Sequence, residues 1–331
     1  MRHVRSALSV SVLCGIAGAA WAGGSHYGVT PGNRPSVEGR ISEWAVPTPQ
    51  FARDPAPGPD GNIYITVMFA DKIARFDTRA RTFKEWDLPS GAKPHGLLVD
   101  RDGSVWYTGS GNGTIGRLDP STGKVTEYRA PSGGDPHTLV TDGNGVIWFT
   151  VMRGNRIGRL DTRTGSMTEF KTAGNPYGLT LDRAGNVWFC QISRGRLGRL
   201  DPRTGQVTEL PLAPDSQPRR IAASSDGSLW VTLHGKGALL RVDPVAAKVA
   251  KEYALPAGPR GGPYAVNVDG AGIVWANEIA TDTVVRLDPR TEEVRVFQLP
   301  SKGVGIRKMA VDADGRLWYM GSHNGRLGVI E

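Results

Sequence analysis

Seven polar or aromatic side chains recur at one fixed place in a sequence repeat. Each lies eleven residues before an aromatic residue, and in five of the seven cases a proline comes directly before it. The seven positions are Arg53, His95, His137, Tyr177, Arg219, Tyr264 and Arg307. Imidazole can act as a base near neutral pH, and guanidinium groups recognise anions. If the fold brings these side chains together, they form a site for an anionic or carbonyl-rich ligand, with histidine pKa values near neutrality.

The aromatic residues that define the repeat also predict the fold. They are spaced 40 to 45 residues apart, which is typical of the blades of a β-propeller. The anchors are Tyr64, Trp106, Trp148, Trp188, Trp230, Trp275 and Trp318. Within one unit, Asp-Gly and Asp-Pro turns separate four short runs that are typical of antiparallel strands. The sequence therefore predicts an all-β fold, a seven-bladed β-propeller with four-stranded antiparallel blades.

Closure of the ring is predicted as well. The last unit ends at Glu331 after its third strand, whereas residues 39–44 match the fourth strand of another unit at residues 123–128. We therefore expect the N-terminal strand to complete the last blade and to close the ring, which covers two exposed sheet edges. In such a ring, the seven recurring side chains open the innermost strands and point to one mouth of the central channel.

The first part of the chain is predicted to lie outside the propeller. Two arginines precede a short apolar stretch, and small residues follow at the positions that determine cleavage. This pattern predicts a signal peptide at residues 1–22, cleaved after Ala22, and a secreted or periplasmic protein. We expect residues 23–36 to be a flexible leader and residues 37–331 to be a single propeller domain. The mature chain then keeps one cysteine, Cys190, which we expect to be buried and inert.

Composition and charge limit the partners. The chain has 331 residues and a formal net charge of +8, but its basic residues recur singly, with no dense run. This distribution does not favour binding to nucleic acid. No apolar run is long enough to span a bilayer in the mature protein, so membrane insertion is not expected. We expect a monomer that binds a small-molecule or cyclic peptide ligand.

The blade motifs resemble a known family. They are Pro94-His95-Gly96, Trp148-Phe149-Thr150, Ile157-Gly158-Arg159-Leu160 and Thr126-Glu127-Tyr128. Together they resemble the streptogramin B lyase (virginiamycin B lyase) family over essentially the whole mature chain. The resemblance implies a carbon–oxygen lyase linked to antibiotic resistance. Such an enzyme opens a streptogramin B-type cyclic depsipeptide at an ester by Mg²⁺-assisted elimination.

The resemblance also implies roles for single residues. His137 would be the general base, His95 would hold the substrate, and Tyr177 would orient it. Asp135 would be a ligand of Mg²⁺. Glu278 is the only acid at the corresponding ends of the second strands, and it is the second metal-ligand candidate. The other recurring side chains would bind the substrate, and these are Arg53, Arg219, Tyr264 and Arg307.

Two other functions are compatible with the same pattern. In the first, the propeller binds an anionic ligand at its arginine-, histidine- and tyrosine-lined channel, and no reaction follows. In the second, the blade edges or the loops at one face bind other proteins, and the polar channel is merely filled with water. A fold alone does not decide between such functions, because one propeller scaffold supports many of them.

Overall fold

The computed structural model describes residues 39–331, and the predicted signal peptide and leader lie outside these residues. The described residues form seven four-stranded antiparallel sheets, which confirms the predicted seven-bladed propeller. In blades 1 to 6 the strands follow each other outward from the central axis in chain order. Blade 7 consists of three C-terminal strands and the N-terminal strand β1.

The strands of the first three blades have these bounds. Blade 1 contains β2 (Ala52–Pro57), β3 (Ile63–Val67), β4 (Lys72–Asp77) and β5 (Thr82–Asp87). Blade 2 contains β6 (Pro94–Val99), β7 (Val105–Gly109), β8 (Thr114–Leu118) and β9 (Val125–Arg129). Blade 3 contains β10 (Pro136–Thr141), β11 (Val146–Val151), β12 (Arg156–Asp161) and β13 (Met167–Lys171).

The remaining blades repeat the same plan. Blade 4 contains β14 (Pro176–Leu181), β15 (Val187–Gln191), β16 (Arg196–Leu200) and β17 (Val207–Pro211). Blade 5 contains β18 (Pro218–Ala223), β19 (Leu229–Leu233), β20 (Ala238–Asp243) and β21 (Lys248–Ala254). Blade 6 contains β22 (Pro263–Val268), β23 (Val274–Glu278), β24 (Thr283–Leu287) and β25 (Val294–Gln298). Blade 7 contains β26 (Ile306–Val311), β27 (Leu317–Gly321), β28 (Arg326–Ile330) and β1 (Ile41–Ala45). Short 3-10 turns lie at Met68–Ala70, Ile192–Arg194 and Gly258–Gly261.

The ring closes as predicted. Strand β1 pairs antiparallel with β28, from Ile41 opposite Ile330 to Ala45 opposite Arg326. Beyond the last pair, the backbone N–H of Glu331 donates to the carbonyl oxygen of Arg40 at 3.0 Å. The outermost strand of blade 7 therefore comes from the opposite end of the chain. Its pairing with β28 leaves no unpaired edge on β28.

The hydrophobic cores lie between neighbouring blades. Trp106 of blade 2 packs with Leu139 and Phe149 of blade 3, and Trp318 of blade 7 packs with Phe76 of blade 1. All five side chains are buried. Burying a Leu or Phe side chain contributes roughly 1.5–3 kcal/mol, so these inter-blade contacts are the main force that holds the ring together. In the part of the chain that the structure describes, no helix is both long and apolar enough to cross a membrane.

A β-bulge interrupts the innermost strand of every blade at the same place. In blade 2, Pro94 pairs with Gly109 and Leu97 pairs with Tyr107, so two residues oppose one. The same shift occurs in all seven innermost strands. The two bulged residues are the recurring side chain and the residue after it. Because bulges change the direction of side chains, they turn these residues toward the channel.

A threonine on the second strand ties most bulges to the next blade. In blade 2, Thr108 Oγ1 accepts from the backbone N–H of Gly96 at 2.7 Å and donates to the carbonyl oxygen of His137 at 3.0 Å. Thr66, Thr150 and Thr232 make the same two bonds in blades 1, 3 and 5. In blade 6, Asn277 accepts from the backbone N–H of Ala265 and donates to the carbonyl oxygen of Ile306, one residue before Arg307. In blade 4 the position is Cys190, which is fully buried, as expected.

Candidate functional site

The structure brings the seven recurring side chains to the axis of the propeller. We call them the upper ring, and we call the face at which the innermost strands begin the upper face. The rings of His95 and His137 lie 3.6 Å apart between centroids, and those of His137 and Tyr177 lie 4.2 Å apart. The hydroxyl groups of Tyr177 and Tyr264 share a hydrogen bond. Side chains from four blades thus form one continuous chain of contacts.

Three arginines complete the upper ring. The guanidinium groups of Arg219 and Arg307 each lie 5.3 Å from the centre of the Tyr264 ring, and Arg307 Nη1 donates to the Tyr264 hydroxyl at 3.3 Å. Arg53 forms an ion pair with Asp54 at 3.2 Å. Each of these three arginines has one buried nitrogen without a hydrogen-bond partner among residues 39–331, namely Arg53 Nη2, Arg219 Nε and Arg307 Nε. The site is therefore cationic and holds unused donors.

The upper ring is a packed layer across the channel. The exposed fractions are 3% for His95 and Tyr264, 6% for His137 and 7% for Tyr177. Arg219 and Arg307 are half-buried, so the ring reaches solvent mainly through their side chains. A ligand that enters from the upper face meets these two guanidinium groups first and the imidazole and phenol groups behind them.

Hydrogen bonds assign different tautomers to the two histidines. His95 Nδ1 lies 2.8 Å from the carbonyl oxygen of His137, and a carbonyl oxygen only accepts, so Nδ1 carries the hydrogen and Nε2 has a free lone pair. His137 Nδ1 lies 3.0 Å from Thr138 Oγ1, which already accepts from Arg220 Nη1 at 2.8 Å. A hydroxyl group can accept and donate at the same time, so the Thr138 hydrogen is available to His137 Nδ1, and with that bond His137 Nε2 carries the ring hydrogen.

The histidine pKa values differ from the expectation drawn from the sequence. Burial lowers the pKa of His95 well below its ordinary value, and the positive charge of Arg53 lowers it further. Burial also lowers the pKa of His137 strongly, and Arg220 and Arg53 add to the effect. The prediction of pKa values near neutrality was therefore wrong. Both imidazoles are neutral at pH 7, because desolvation and nearby guanidinium groups disfavour the charged form.

The tyrosine pair is also perturbed. Burial alone would raise the pKa of Tyr264, but the guanidinium groups of Arg220, Arg53 and Arg307 lower it overall. Burial raises the pKa of Tyr177, and negative charge on Tyr264 adds to the rise. Of the two phenols, Tyr264 is thus the better hydrogen-bond donor to a developing anion, since an acidic donor binds an anion more strongly.

A second layer of residues, three of them charged, lies directly below the upper ring and was not predicted from the sequence. We call it the inner layer, and it consists of the residue after each upper-ring residue: Asp54, Gly96, Thr138, Gly178, Arg220, Ala265 and Lys308. Arg220 Nη2 lies 3.9 Å from Asp54 Oδ2, and Lys308 Nζ donates to the carbonyl oxygen of Leu97 at 2.7 Å. Three members have little or no side chain, which leaves room for long charged ones. Counting ten residues back from each anchor would have found this layer.

The two candidate metal ligands do not form a site with each other. Asp135 lies before β10, where its carboxylate accepts from the backbone N–H of Arg153 at 2.6 Å and pairs with the Arg153 side chain. Glu278 is fully buried in blade 6, where it accepts from the backbone N–H of Ala257 at 2.7 Å and from Thr283. Residues 39–331 contain no group of three His, Cys, Asp or Glu side chains that could hold a metal ion. Mg²⁺ requires several oxygen ligands, so these residues do not fit it.

Comparisons with solved structures show the same architecture in streptogramin B lyases. A structure of streptogramin B lyase is 26% identical, with a TM-score of 0.81 over 88% of this chain and 97% of the other. A catalytically inactive histidine-to-alanine variant of virginiamycin B lyase from Staphylococcus aureus, with quinupristin, is 25% identical, with a TM-score of 0.79 over 88% of this chain and 99% of the other. Kuenenia stuttgartiensis hydrazine synthase, at 15% identity and a TM-score of 0.74 over 90% of this chain and 99% of the other, shares the fold alone.

Sequence comparison agrees with the structural likeness. No curated protein sequence matches the chain. The family model described as the virginiamycin B lyase family matches twice, at residues 8–174 and at residues 90–331. The two matches overlap, as expected when similar blades align in more than one register. Because the matches together span most of the sequence, and the fold is that of the lyases, the chain belongs to the virginiamycin B lyase family.

Proposed function

We propose that the protein is a carbon–oxygen lyase that opens a cyclic ester by elimination, with streptogramin B-type depsipeptides as the substrate class. In this reaction a base removes a proton from the carbon next to a carbonyl group, and a carbon–carbon double bond forms. The bond between the neighbouring carbon and the ester oxygen breaks, and a carboxylate leaves. The ring opens without addition of water, so the product is an isomer of the substrate.

The observation that carries the proposal is the combination of a neutral imidazole and unused cationic donors in one buried layer. We assign the base to His95, because its Nδ1–H donates to a carbonyl oxygen and its Nε2 is therefore free to accept a proton. The assignment of the base to His137, which the family resemblance implies, stays a prediction. The two assignments differ in the kinetics expected of the His95→Ala and His137→Ala variants.

The other side chains of the upper ring suit the stabilisation of the enolate that forms when the proton is removed. His137 Nε2–H, the Tyr264 hydroxyl and the guanidinium groups of Arg219 and Arg307 are all donors in a largely buried layer. Loss of one such donor typically lowers the rate by about 10²–10³. No step of this proposal passes through Mg²⁺, because Asp135 and Glu278 have other partners.

The test is incubation of the purified protein with quinupristin, followed by chromatography and mass spectrometry. We expect an isomer of unchanged mass and altered retention, formed equally with EDTA and with added Mg²⁺. A product heavier by one water would show hydrolysis and would contradict the elimination. Activity that disappears with EDTA would contradict the metal-free chemistry.

A second candidate function is binding of an anionic ligand without turnover. It is favoured by the unpartnered nitrogens of Arg53, Arg219 and Arg307, because a buried charge without a partner is costly and an anion would neutralise it. This function would be supported over the lyase if quinupristin were recovered chemically unchanged and if an anion bound saturably in a manner that requires Arg219 and Arg307.

We further propose that the protein is exported and acts as a monomer outside the cytoplasm. The proposal rests on the charged and apolar pattern of residues 1–22. N-terminal sequencing of the exported protein should begin at Gly23, and size-exclusion chromatography with light scattering should give one chain per particle. An uncleaved N-terminus would contradict the proposed signal peptide, and a dimer would contradict the proposed monomer.

A further inference from the structure

The central channel opens into a cavity on the face opposite the upper ring. This lower cavity has a volume of about 670 Å³ and is lined by the innermost strands of all seven blades. Its volume falls within the range of about 300–1,000 Å³ that is usual for small-molecule sites. The upper ring is not part of its lining, so it is a separate space from the site described above.

The floor of the lower cavity is formed by the inner layer and carries positive charge. Thr138, Arg220 and Lys308 line it. Arg220 is 6% exposed, and its Nε and Nη2 have no hydrogen-bond partner among residues 39–331. The Lys308 ammonium group donates to the carbonyl oxygen of Leu97, and an ammonium group can donate three hydrogen bonds in all.

The charge of the two layers is not balanced by the chain itself. Among the fourteen residues of the upper ring and the inner layer, five are Arg or Lys and only Asp54 is acidic. Asp54 is shared between Arg53 and Arg220. Two acids line the rim of the cavity. Asp312 pairs with Arg316, and Asp269 accepts hydrogen bonds from two backbone N–H groups and from the indole N–H of Trp275. An unbalanced, buried positive charge favours binding of an anion.

Much of the wall of the lower cavity is apolar. Toward the opening, half-buried aliphatic side chains from five blades line it, and these are Leu98, Val99, Val140, Ala222, Val268 and Val311. Covering these walls with an apolar group removes apolar surface from water, which makes the free energy of binding more favourable. The cavity thus offers cationic donors at its floor and an apolar surface above them.

We propose that the lower cavity is a binding site for a small organic anion with an apolar body, whose anionic group contacts Arg220 and Lys308. A medium-chain carboxylate has this chemistry. Its carboxylate accepts the free hydrogen bonds of the ammonium and guanidinium groups, while its chain lies against the aliphatic walls. The site is separate from the upper ring, so the proposal holds whether or not the upper ring catalyses elimination.

The test is isothermal titration of the full mature chain with octanoate and with 1-octanol, which has the same chain length and no charge. We expect octanoate to bind at one site, and 1-octanol to bind at least about tenfold more weakly, because charge-assisted hydrogen bonds are lost. Equal affinity for the two compounds, or no binding of octanoate up to its solubility limit, would overturn the proposal.

Two adjacent residues provide a matched pair of variants. Lys308 lies on the lower cavity, whereas Arg307 contacts Tyr264 on the upper side. We expect Lys308→Met to weaken octanoate by at least about tenfold, and Arg307→Gln to leave its affinity within about twofold. Loss of binding in Arg307→Gln but not in Lys308→Met would place the anion in the upper ring and refute the lower site.

A third variant covers the case in which Lys308→Met does not fold. Ala223 is exposed at the end of β18 and lines the opening of the cavity, so a larger side chain there narrows the entrance without disturbing buried charge. We expect Ala223→Trp to fold, to keep its thermal midpoint, and to bind octanoate at least about tenfold more weakly. Unchanged affinity in this variant would show that the ligand does not enter from the lower face.

Discussion

At the scale of single residues, the two histidines of the upper ring differ in their hydrogen bonds and therefore in the reaction steps that they can perform. His95 donates to a backbone carbonyl oxygen, and Nε2 is left as an acceptor. His137 faces the hydroxyl group of Thr138, which Arg220 holds in place. Sequence order alone does not distinguish them, because both follow a proline at the same place in the repeat.

We expect His95→Ala to lower kcat for quinupristin by at least about 10²-fold, since a positioned general base contributes about 10²–10⁴. His137→Ala should lower kcat less and should not change the acid limb of the pH profile. Because burial and Arg53 lower the pKa of His95, the wild-type protein should stay active to a lower pH than a free imidazole would allow. The measurement is kcat and kcat/KM against pH. If His137→Ala abolishes turnover and His95→Ala only raises KM, the base is His137.

Asp54 is the acid that compensates the buried cations of the inner layer. Burial alone would raise its pKa, but Arg53, Arg220 and Lys308 lower it overall, so the carboxylate is charged. We expect Asp54→Asn to lower the free energy of unfolding by about 3–5 kcal/mol, because the buried cations lose their partner. The control is Asp102→Asn, which removes an exposed ion pair with Arg117 and should cost no more than about 1 kcal/mol. Urea unfolding measures the free energy of unfolding of both variants. An equal loss in the two would contradict the role of Asp54.

At the scale of elements, the threonine that joins the bulge to the next blade in blades 1, 2, 3 and 5 explains a regularity of the sequence. The hydroxyl group of Thr108 both accepts from blade 2 and donates to blade 3, which a purely apolar side chain cannot do. Cys190 interrupts the series in blade 4, and burial raises the pKa of its thiol to a value far above neutrality. It is therefore a neutral packing residue, and its weak hydrogen-bonding capacity leaves that joint less secured than the four joints that contain threonine.

We expect Cys190→Thr to stabilise the protein by about 1 kcal/mol. The new hydroxyl group can accept from the backbone N–H of Gly178 and donate to the carbonyl oxygen of Arg219, as the threonines of other blades do. The reverse change, Thr108→Val, should destabilise it by about 1–3 kcal/mol, since a buried N–H and a buried carbonyl oxygen lose a partner. Thermal and urea unfolding of the two variants check the pair. A loss of stability in Cys190→Thr would show that blade 4 cannot accommodate the joint.

The N-terminal strand is the element on which closure of the ring depends. A chain that begins at residue 46 lacks β1 and leaves β28 with an unpaired edge, so we expect it to aggregate or to unfold at a much lower temperature. The control is a chain that begins at Gly39, which keeps β1 and should be as stable as the mature protein. Light scattering and thermal unfolding distinguish the two. A stable monomer without β1 would contradict the closure.

The sequence predicts the elements better than the environment of the site. The anchors, the turns and the match between residues 39–44 and 123–128 suffice for the blade number and the closure, because these depend on a periodic pattern. The alignment of the upper ring also follows from the constant distance to the anchors. The sequence pattern does not predict the histidine pKa values or the hydrogen bond that Glu278 accepts from the backbone of Ala257. Both depend on how side chains and loops pack in three dimensions.

At the scale of the whole molecule, the buried neutral imidazoles couple stability to pH. The pKa values of His95 and His137 in the folded state lie well below the value of about 6.5 expected in the unfolded chain. The unfolded chain therefore binds more protons as the pH falls through about 6.5 toward the folded pKa, and unfolding becomes easier. Above about pH 6.5 both imidazoles are neutral in the folded and the unfolded chain, so they do not make the free energy of unfolding depend on pH.

We expect the urea midpoint to be constant between about pH 7 and 8 and to fall as the pH is lowered below about 6.5. In a double variant, His95→Gln with His137→Gln, the fall over the same range should be smaller, because no imidazole has to take up a proton on unfolding. The comparison of the two pH series is the measurement. Parallel curves for the two proteins would show that other groups control the acid response.

The pairing of β1 with β28 places Arg40 beside Glu331, so the two ends of the described chain lie close together. A short linker could therefore join them, and the chain could be opened at residues 172–175, between β13 and β14, where no blade is cut. Each blade would keep both neighbours, and the charged layers on the axis would be unchanged. The propeller is thus a circular arrangement whose starting point along the gene is arbitrary, and circular permutation can move the ends of the chain to any gap between blades.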